Sequence, residues 1–510
     1  MKEAFVTGHT GTTASEILLV CMSAPIGILL FHEIRNYCNI RNKYDIPKGA
    51  LIVMESITVL LPMAICQTQL LFPYGVTYLS FELSLGLLLF IYRRYVRKNQ
   101  RGYEPREQSQ APSSLASSSS KIPKMEFLSF YRSTVSYLTF VAILAVDFTI
   151  FPRSYAKTEE YGYGLMDLGA ASFCVIGGLV SWFSRSDNSK VSNYNNDNRI
   201  KSFKEGMKKY NDHHMDKMKK VIVHSIPLLI MGMIRFITTK GLEYQEHVSE
   251  YGVHWNFFFT LALVNCLSTF IRSYMEITNP IFPWMILMVL YQLILSLGDV
   301  QDYIVNAPRV CVSIAQPCNF FAANREGILG SIGYLIIFLA CEDIGRYCIW
   351  DTKFRDSFIQ GKRLFIITIT FWFLHWFASS NNALLIAVSR RSTNAPFILW
   401  TIAHNMTILF LIWVAFYYCS KGSIHDAMTK REDHSKVITP PIFAAVNKHG
   451  LIVFILANLL TGIVNLSVDT LMATEKEAIV IIFLYLCSVG GVSLLIEYIL
   501  NLYTVHPHQQ

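Results

Sequence analysis

The sequence predicts an all-α polytopic integral membrane protein with about thirteen transmembrane helices. Hydrophobic residues make up 52% of the 510-residue chain. Charged residues make up only 16%, whereas soluble domains carry about a quarter. Apolar runs of about 18 residues or more recur along the whole length, which is typical of membrane-spanning helices.

The apolar runs follow one another closely, and two of them contain a charged residue. Glu82 lies in the third run and Arg132 in the fourth, so these two are less apolar than the others. The first run has no A-x-A-like cleavage site, and no intervening segment is mixed enough for a soluble domain. We therefore expect a single multi-pass domain over residues 1–510. The predicted spans are 15–33, 50–72, 74–92, 128–150, 164–184, 220–238, 254–273, 280–298, 326–343, 364–384, 396–418, 450–468 and 477–501.

The distribution of positive charge predicts the orientation. With a luminal N-terminus, the cytosolic segments carry most of the 44 Lys and Arg residues, as the positive-inside rule requires. An odd number of spans then places the C-terminus in the cytosol. Segments 93–125 and 185–219 are basic and polar, and we expect both to be flexible cytosolic loops. Because topology explains the net charge of +8, we expect no nucleic-acid partner.

The 11 cysteines do not predict a metal site. Most lie within or at the edge of predicted spans, and the chain has neither a CxxC motif nor a clustered Cys/His spacing. Cys311 and Cys318 share a loop predicted to be luminal. Either a disulfide or two free thiols fits this pair.

The stretch VDFTIFPRSYAKTEEYGYGLMDLGAASF, residues 146–173, places ionisable residues beside apolar runs. Asp147 ends a predicted span, where an ionisable group is costly and indicates function. Lys157 follows ten residues later in a short loop, which allows the two side chains to meet. The alternatives are a carboxylate in interfacial water and a purely structural ion pair. Asp167 lies just inside the next span, where either a functional or a non-functional role fits it.

Polar residues also occur within or at the start of other predicted spans. His254 and Asn256 begin one span in EYGVHWNFFFT, where His254 is either a general base or a hydrogen-bonded anchor. A second group lies in NAPFILWTIAHN, where Trp400 precedes His404 and Asn405 by about one turn.

Asn458 and Asn465 lie seven residues apart, and hence on one face of a predicted helix. Buried amides need hydrogen-bond partners. These side chains either line a cavity or bond neighbouring helices, and the same choice applies to Trp400, His404 and Asn405.

Four blocks of the sequence together resemble one known family. They are AVDFTIFPRSYAKTEEYGYGLMDLGAASF, EYGVHWNFFFT, NAPFILWTIAHN and ANLLTGIVNLSVDTL, and they follow the family's order between about residues 130 and 470. This is the inositol acyltransferase family of GPI-anchor biosynthesis, the phosphatidylinositol-glycan class W or GPI-anchored wall transfer proteins. The resemblance implies a multi-pass enzyme of the endoplasmic reticulum membrane. It would move a fatty acyl group, usually palmitoyl, from acyl-CoA to the inositol 2-hydroxyl of glucosaminyl-phosphatidylinositol.

Acyl transfer from a thioester to an alcohol requires few catalytic groups. An alcohol that attacks a thioester must lose its proton, so one base is needed, and the oxyanion favours a nearby cation. By the resemblance, we expect Asp147 to be the base and Lys157 to orient it or to stabilise negative charge. His254 is the alternative base, and acyl-CoA is a co-substrate, so no metal or other cofactor is expected. The expected substrate-binding residues are Arg153, Asp167, Arg235, Asn256, Trp400, His404, Asn405, Asn458 and Asn465, with Arg153 and Arg235 directed at lipid phosphate.

Two other functions fit many of the same residues. A secondary transporter or lipid scramblase also needs many spans and intramembrane polar groups, although the two halves show no convincing repeat. A non-catalytic subunit of a membrane complex would tolerate loss of the Asp147 carboxylate.

Overall fold

A computed structural model of the chain shows helices where the sequence predicts spans. It describes residues 10–41, 46–101, 125–185, 203–241, 250–278, 282–307, 320–351, 353, 357–380, 387–420 and 439–505. Within these ranges it contains no β-strand, and one isolated bridge joins Thr12 to Tyr163. The all-α fold class is therefore confirmed.

Each predicted span coincides with a helix. In the described part of the chain, nine helices are long and apolar enough to cross a membrane. The bent pair Pro283–Leu297 and Val300–Asn306, with 69° between its helices, makes a tenth if it counts as one span. Two apolar helices, Leu165–Leu179 and Phe257–Ser273, are shorter, and Phe358–Ser380 coincides with another predicted span. A multi-pass membrane protein is thus confirmed, whereas the number thirteen stays a prediction.

The chain forms two compact units, each discontinuous in sequence, where the sequence predicts one domain. The first unit comprises Met1–Ile17 and Arg153–Thr407, and the second comprises Leu18–Pro152 and Ile408–Gln510. Composition does not reveal this division because apolar spans and polar loops alternate in both units.

The first unit is built around helix Arg325–Ile344, which packs against Leu165–Leu179, Phe257–Thr278 and Pro283–Leu297. Gly327 and Gly333 recur along it, and a Cβ at either would clash with a neighbouring segment. Small residues therefore let other segments approach this helix closely, as is common in membranes. The unit's helices are Leu165–Leu179, Phe203–Gly241, Phe257–Thr278, Pro283–Leu297, Val300–Asn306, Phe320–Ala323, Arg325–Ile344 with the π-helical turn Gly345–Ile349, and Phe358–Ser380, together with the 3₁₀ turn Arg153–Tyr155.

The second unit contains a short helix, Pro441–Lys448, held by a buried carboxylate. Glu55 accepts hydrogen bonds from the backbone N–H groups of Ile442 and Phe443, both at 2.9 Å. These N–H groups lack partners within their own helix, so Glu55 satisfies its N-terminus. The unit's other helices are Ser23–Arg41, Lys48–Glu55, Ser56–Leu60, Leu61–Cys66, Leu71–Gly75, Val76–Arg101, Glu126–Ala145, Gly450–Ser467 and Glu475–Val505; Ala14–Cys21 and Ala395–Ser420 have residues in both units.

One of the two segments expected to be flexible loops is partly helical. Helix Phe203–Gly241 begins inside segment 185–219, so the expected loop is wrong for residues 203–219. Lys and Met are good helix formers, and they are frequent in this stretch. In segment 93–125, helix Val76–Arg101 continues to Arg101. Residues 102–124 and 186–202 lie outside the described residues, as do Cys311 and Cys318.

Candidate functional site

Loops that the sequence assigns to one side of the membrane meet in the first unit. The Gly162 N–H donates a hydrogen bond to the Val388 carbonyl oxygen at 2.8 Å. The Ser389 hydroxyl donates to the Glu160 carbonyl oxygen, also at 2.8 Å. The loop after residue 152 and the loop before helix Ala395–Ser420 are therefore joined directly.

Asp167 lies at the centre of this junction. Its carboxylate is 1% exposed and lies 2.7 Å from Nε of Arg390, which is itself 4% exposed. Thr158 donates to the same carboxylate from its hydroxyl at 2.7 Å and from its backbone N–H at 3.1 Å. Gly164 leaves room for this group, because a Cβ there would lie 2.4 Å from the Asp167 carboxylate. These contacts support a structural role for Asp167 in holding two loops together.

Lys157 forms an ion pair with Glu250, on the segment that leads into helix Phe257–Thr278. The Glu250 side chain is 11% exposed, whereas the Lys157 side chain is 37% exposed. Arg390 is an electrostatic neighbour of Glu250 as well as the partner of Asp167. We call Lys157, Asp167, Glu250 and Arg390 the charged cluster. It presents one partly accessible ammonium group beside three buried charges.

Within the charged cluster, Glu250 makes the folding stability of the protein depend on pH. Burial raises the pKa of this carboxyl, but the positive charges of Lys157, Arg390 and Arg235 outweigh burial and lower the pKa from 4.5 to about 2. The folded pKa is below the unfolded value, so the stabilisation is complete above pH 4.5 and is lost as the pH falls toward 2. We expect the melting temperature of the detergent-solubilised chain to fall over this range. Glu250→Gln should remove part of that fall, and an unchanged pH profile in this variant would contradict the assignment.

The loop that carries Arg390 is itself buried and strained. All residues from Val388 to Asn394 are buried, which is unusual for a connecting segment. Thr393 has a φ of 46°, in the left-handed region that non-glycine residues rarely adopt. Its hydroxyl donates to the Gly330 carbonyl oxygen at 2.8 Å. Strain of this kind persists only where the surroundings enforce it, and it is concentrated at functional sites.

A second ion pair anchors the same loop. Arg391 donates to the Glu326 carboxylate at 3.0 Å, and both side chains are largely buried. Sequence reasoning identified none of Glu250, Glu326, Arg390 and Arg391 as site residues. The sequence feature that could have indicated a site here is the polar string SRRSTN, which directly precedes an apolar run.

Asp147 belongs to the second unit, where it follows helix Glu126–Ala145. Its backbone N–H donates to the Leu144 carbonyl oxygen at 3.2 Å, so the chain turns at the end of this helix. The Asn465 amide donates to its carboxylate at 2.8 Å. The structure thus brings together two sequence-predicted residues, in a partly exposed carboxylate–amide pair.

The predicted residues around His254 have mainly structural contacts. His254 contacts the rings of Phe236 and Phe320, with centroid distances of 5.8 and 6.2 Å. Its backbone N–H donates to the Asn324 side-chain oxygen at 2.7 Å. Asn256 accepts the N–H of Phe258 at 3.1 Å and so satisfies the start of helix Phe257–Thr278. These contacts favour the interpretation of this block as a helix anchor.

The remaining predicted residues are dispersed. Arg153 is half-buried in its 3₁₀ turn, and Arg235 is exposed on helix Phe203–Gly241. Asn405 donates to the Thr401 carbonyl oxygen, and the exposed Asn458 donates to that of Phe454, both at 2.8 Å. These two amides thus bond their own helices. Trp400 and His404 are buried in the first unit, where Tyr163 packs edge-on against Trp400 at 5.0 Å.

Comparison with known proteins gives a match along nearly the whole chain. The sequence profile of the GWT1 family matches residues 1–496. GPI-anchored wall transfer protein 1 of Aspergillus oryzae is 35% identical over 529 residues, which cover 97% of each chain. The protein of the same name from Aspergillus fumigatus is 35% identical over 98% of this chain and 97% of its own. That from Gibberella zeae is 32% identical over 97% of this chain and 96% of its own.

Proposed function

Because the chain belongs to the GWT1 family, we propose that it is an acyl-CoA-dependent inositol O-acyltransferase of GPI-anchor biosynthesis. It would transfer a palmitoyl group to the inositol 2-hydroxyl of glucosaminyl-phosphatidylinositol. We place it in the endoplasmic reticulum membrane, with a luminal N-terminus and a cytosolic C-terminus. The charged cluster supports this proposal most directly, because it keeps a lysine partly accessible beside apolar helices.

Acylation of an alcohol needs a group that accepts the hydroxyl proton. We assign this role to Asp147, whose carboxylate is partly exposed and is oriented by the Asn465 amide. A partly exposed carboxylate that is oriented by a neighbouring amide can accept the proton of a bound hydroxyl, as a general base must. His254 is the alternative base, but its aromatic neighbours and its position as a helix anchor make it a weaker candidate.

The reaction also develops negative charge on the thioester oxygen and on the leaving sulfur. We assign its stabilisation to Lys157, which is 37% exposed and therefore accessible to a ligand. Glu250 holds the lysine in an ion pair. Asp167, the partner of Arg390, accepts two hydrogen bonds from Thr158, the residue after Lys157. Arg153 and Arg235 remain the proposed contacts of the lipid phosphate.

Replacement of Lys157 tests its role. We expect Lys157→Met to reduce acyl transfer about 100-fold, because it removes a cation that acts in the transition state. Lys157→Arg should retain part of the activity, since it keeps the charge but changes its geometry. The initial rate at saturating palmitoyl-CoA measures both variants. Full activity of Lys157→Met at matched expression would exclude the assignment.

The function itself is tested in microsomes that lack endogenous inositol acylation. Wild-type chain should convert labelled glucosaminyl-phosphatidylinositol to an acylated product only when palmitoyl-CoA is present. A folded chain that forms no acylated product would refute the proposal. If such a chain instead equilibrates labelled lipid between the two leaflets of a vesicle, the scramblase alternative is supported.

A further inference from the structure

Three buried polar side chains on helix Ala395–Ser420 have no hydrogen-bond partner among the residues that the structure describes. Trp400, Thr401 and His404 are at most 1% exposed. Within the described part of the chain, the indole N–H, the hydroxyl and both imidazole nitrogens are all unpaired. A buried polar group without a partner destabilises a folded protein. Three such groups together therefore need an explanation.

Some comparable side chains are hydrogen-bonded. Thr407, on the same helix, donates its hydroxyl to the Ala403 carbonyl oxygen at 2.8 Å and accepts the Trp372 indole N–H at 2.8 Å. The Trp350 indole N–H donates to the Leu179 carbonyl oxygen at 2.8 Å. Among the described residues, the Thr401 hydroxyl makes neither kind of bond.

The three groups form one continuous face, which we call the Trp400 face. Residues three and four positions apart are adjacent on a helix surface, so both Thr401 and Trp400 are neighbours of His404, and the rings of Trp400 and His404 are 6.2 Å apart. Tyr163 packs against Trp400 at 5.0 Å, and its hydroxyl is 3.1 Å from Nε2 of His375. Because Tyr163 lies six residues from Lys157 on the same loop, the Trp400 face adjoins the loop of the charged cluster.

The chemistry of the Trp400 face selects a neutral oxygen acceptor. The Trp400 indole N–H can only donate a hydrogen bond. The Thr401 hydroxyl and a neutral His404 imidazole can each donate one more. The surrounding aromatic rings, including Phe397 at 5.9 Å from Trp400, favour an apolar ligand over a hydrated sugar. A fatty acyl group combines an apolar chain with one carbonyl oxygen.

We propose that the Trp400 face binds the carbonyl oxygen of the acyl thioester and stabilises the oxyanion derived from it. This inference rests on the proposed function. The inositol oxygen forms a bond to the thioester carbon, and the carbonyl π electrons move to the oxygen that faces Trp400, Thr401 and His404. When the C=O bond re-forms, the C–S bond breaks, and its electron pair leaves on the CoA sulfur. The proton released by the hydroxyl to the base finally neutralises that thiolate.

Two conservative variants test the Trp400 face. Trp400→Phe removes the indole N–H and keeps an aromatic ring, and Thr401→Val removes the hydroxyl at nearly constant volume. Each should lower the maximal rate of acyl transfer about 100-fold, the usual effect of losing one oxyanion-hole donor. Their melting temperatures should equal or exceed that of wild type, because each removes an unpaired buried group. Trp413→Phe, on the same helix, is the matched control and should leave the rate within about twofold.

Binding provides a readout that does not depend on turnover. The probes are two non-reactive CoA analogues with the same alkyl chain, a ketone that retains the carbonyl oxygen and a thioether that lacks it. Wild type should bind the ketone about tenfold more tightly than the thioether. Trp400→Phe and Thr401→Val should each reduce this preference.

The outcomes separate this inference from the function on which it rests. If wild type acylates inositol and both variants are as active as wild type, the Trp400 face has no role and the inference is wrong. Equal affinity of wild type for ketone and thioether would also overturn it. If wild type binds neither analogue and acylates nothing, the proposed function itself has failed.

Discussion

Asp147→Asn should abolish acyl transfer, with a loss of about 1,000-fold or more, because it removes the proposed general base. The amide has nearly the same shape as the carboxylate but is not basic. It also keeps an oxygen that can accept the Asn465 hydrogen bond, which spans 2.8 Å in the wild type. We therefore expect a folded, inactive protein. The measurement is acyl transfer in microsomes at matched expression, together with the melting temperature of the solubilised variant.

The control is the same carboxylate-to-amide change at Glu160, an exposed residue of the loop after residue 152. Glu160→Gln should retain wild-type activity, because that side chain is solvated and has no assigned role. Equal activity of Asp147→Asn and wild type would show that the base is elsewhere, and His254→Gln would then be the next variant. Loss of activity through unfolding would appear as a lowered melting temperature, which distinguishes it from loss of the base.

Arg390→Met should destabilise the first unit by about 3–5 kcal/mol, because it leaves the Asp167 carboxylate buried without its cation. The two side chains are 4% and 1% exposed and 2.7 Å apart, so water cannot replace the lost partner. Glu250 loses a neighbouring positive charge in the same variant. The apparent melting temperature and the yield of monodisperse protein in detergent measure this effect.

A double variant separates the loss of charge balance from the loss of packing. Asp167→Asn combined with Arg390→Met removes both charges, so it should recover a substantial part of the stability lost in the single variant. If the double variant is as unstable as Arg390→Met, the arginine acts through packing and not through its pairing with Asp167.

The helices were predictable from the sequence because their signal is local. Apolar runs of the required length identify a span even where Glu82 or Arg132 interrupts it, and both runs form helices that qualify as spans. The division into two units was not predictable, because each unit combines segments far apart in the chain. The sequence does not predict the helix over residues 203–219 because a polar, basic stretch is also typical of a solvated loop.

The candidate site was predictable only in part. The positions of Asp147 and Lys157 beside apolar runs indicated function, but their partners did not follow from the sequence. Lys157 pairs with Glu250, 93 positions away, and Asp147 accepts a hydrogen bond from Asn465, 318 positions away. Such pairs depend on tertiary packing, and neither hydrophobic periodicity nor composition indicates which distant residues come into contact. Asp167 was a candidate from its position just inside a predicted span, but its partner Arg390 became evident only from the structure.

The most direct test of the proposed function is the position of the acyl group in the product. Purified wild-type chain in vesicles would be supplied with glucosaminyl-phosphatidylinositol and isotopically labelled palmitoyl-CoA, and the product would be fragmented by mass spectrometry. We predict that the labelled palmitoyl group is recovered on the inositol fragment, and that Asp147→Asn yields no such fragment. Label on the glucosamine or glycerol fragment, or no acylated product from folded wild-type protein, would contradict inositol acylation.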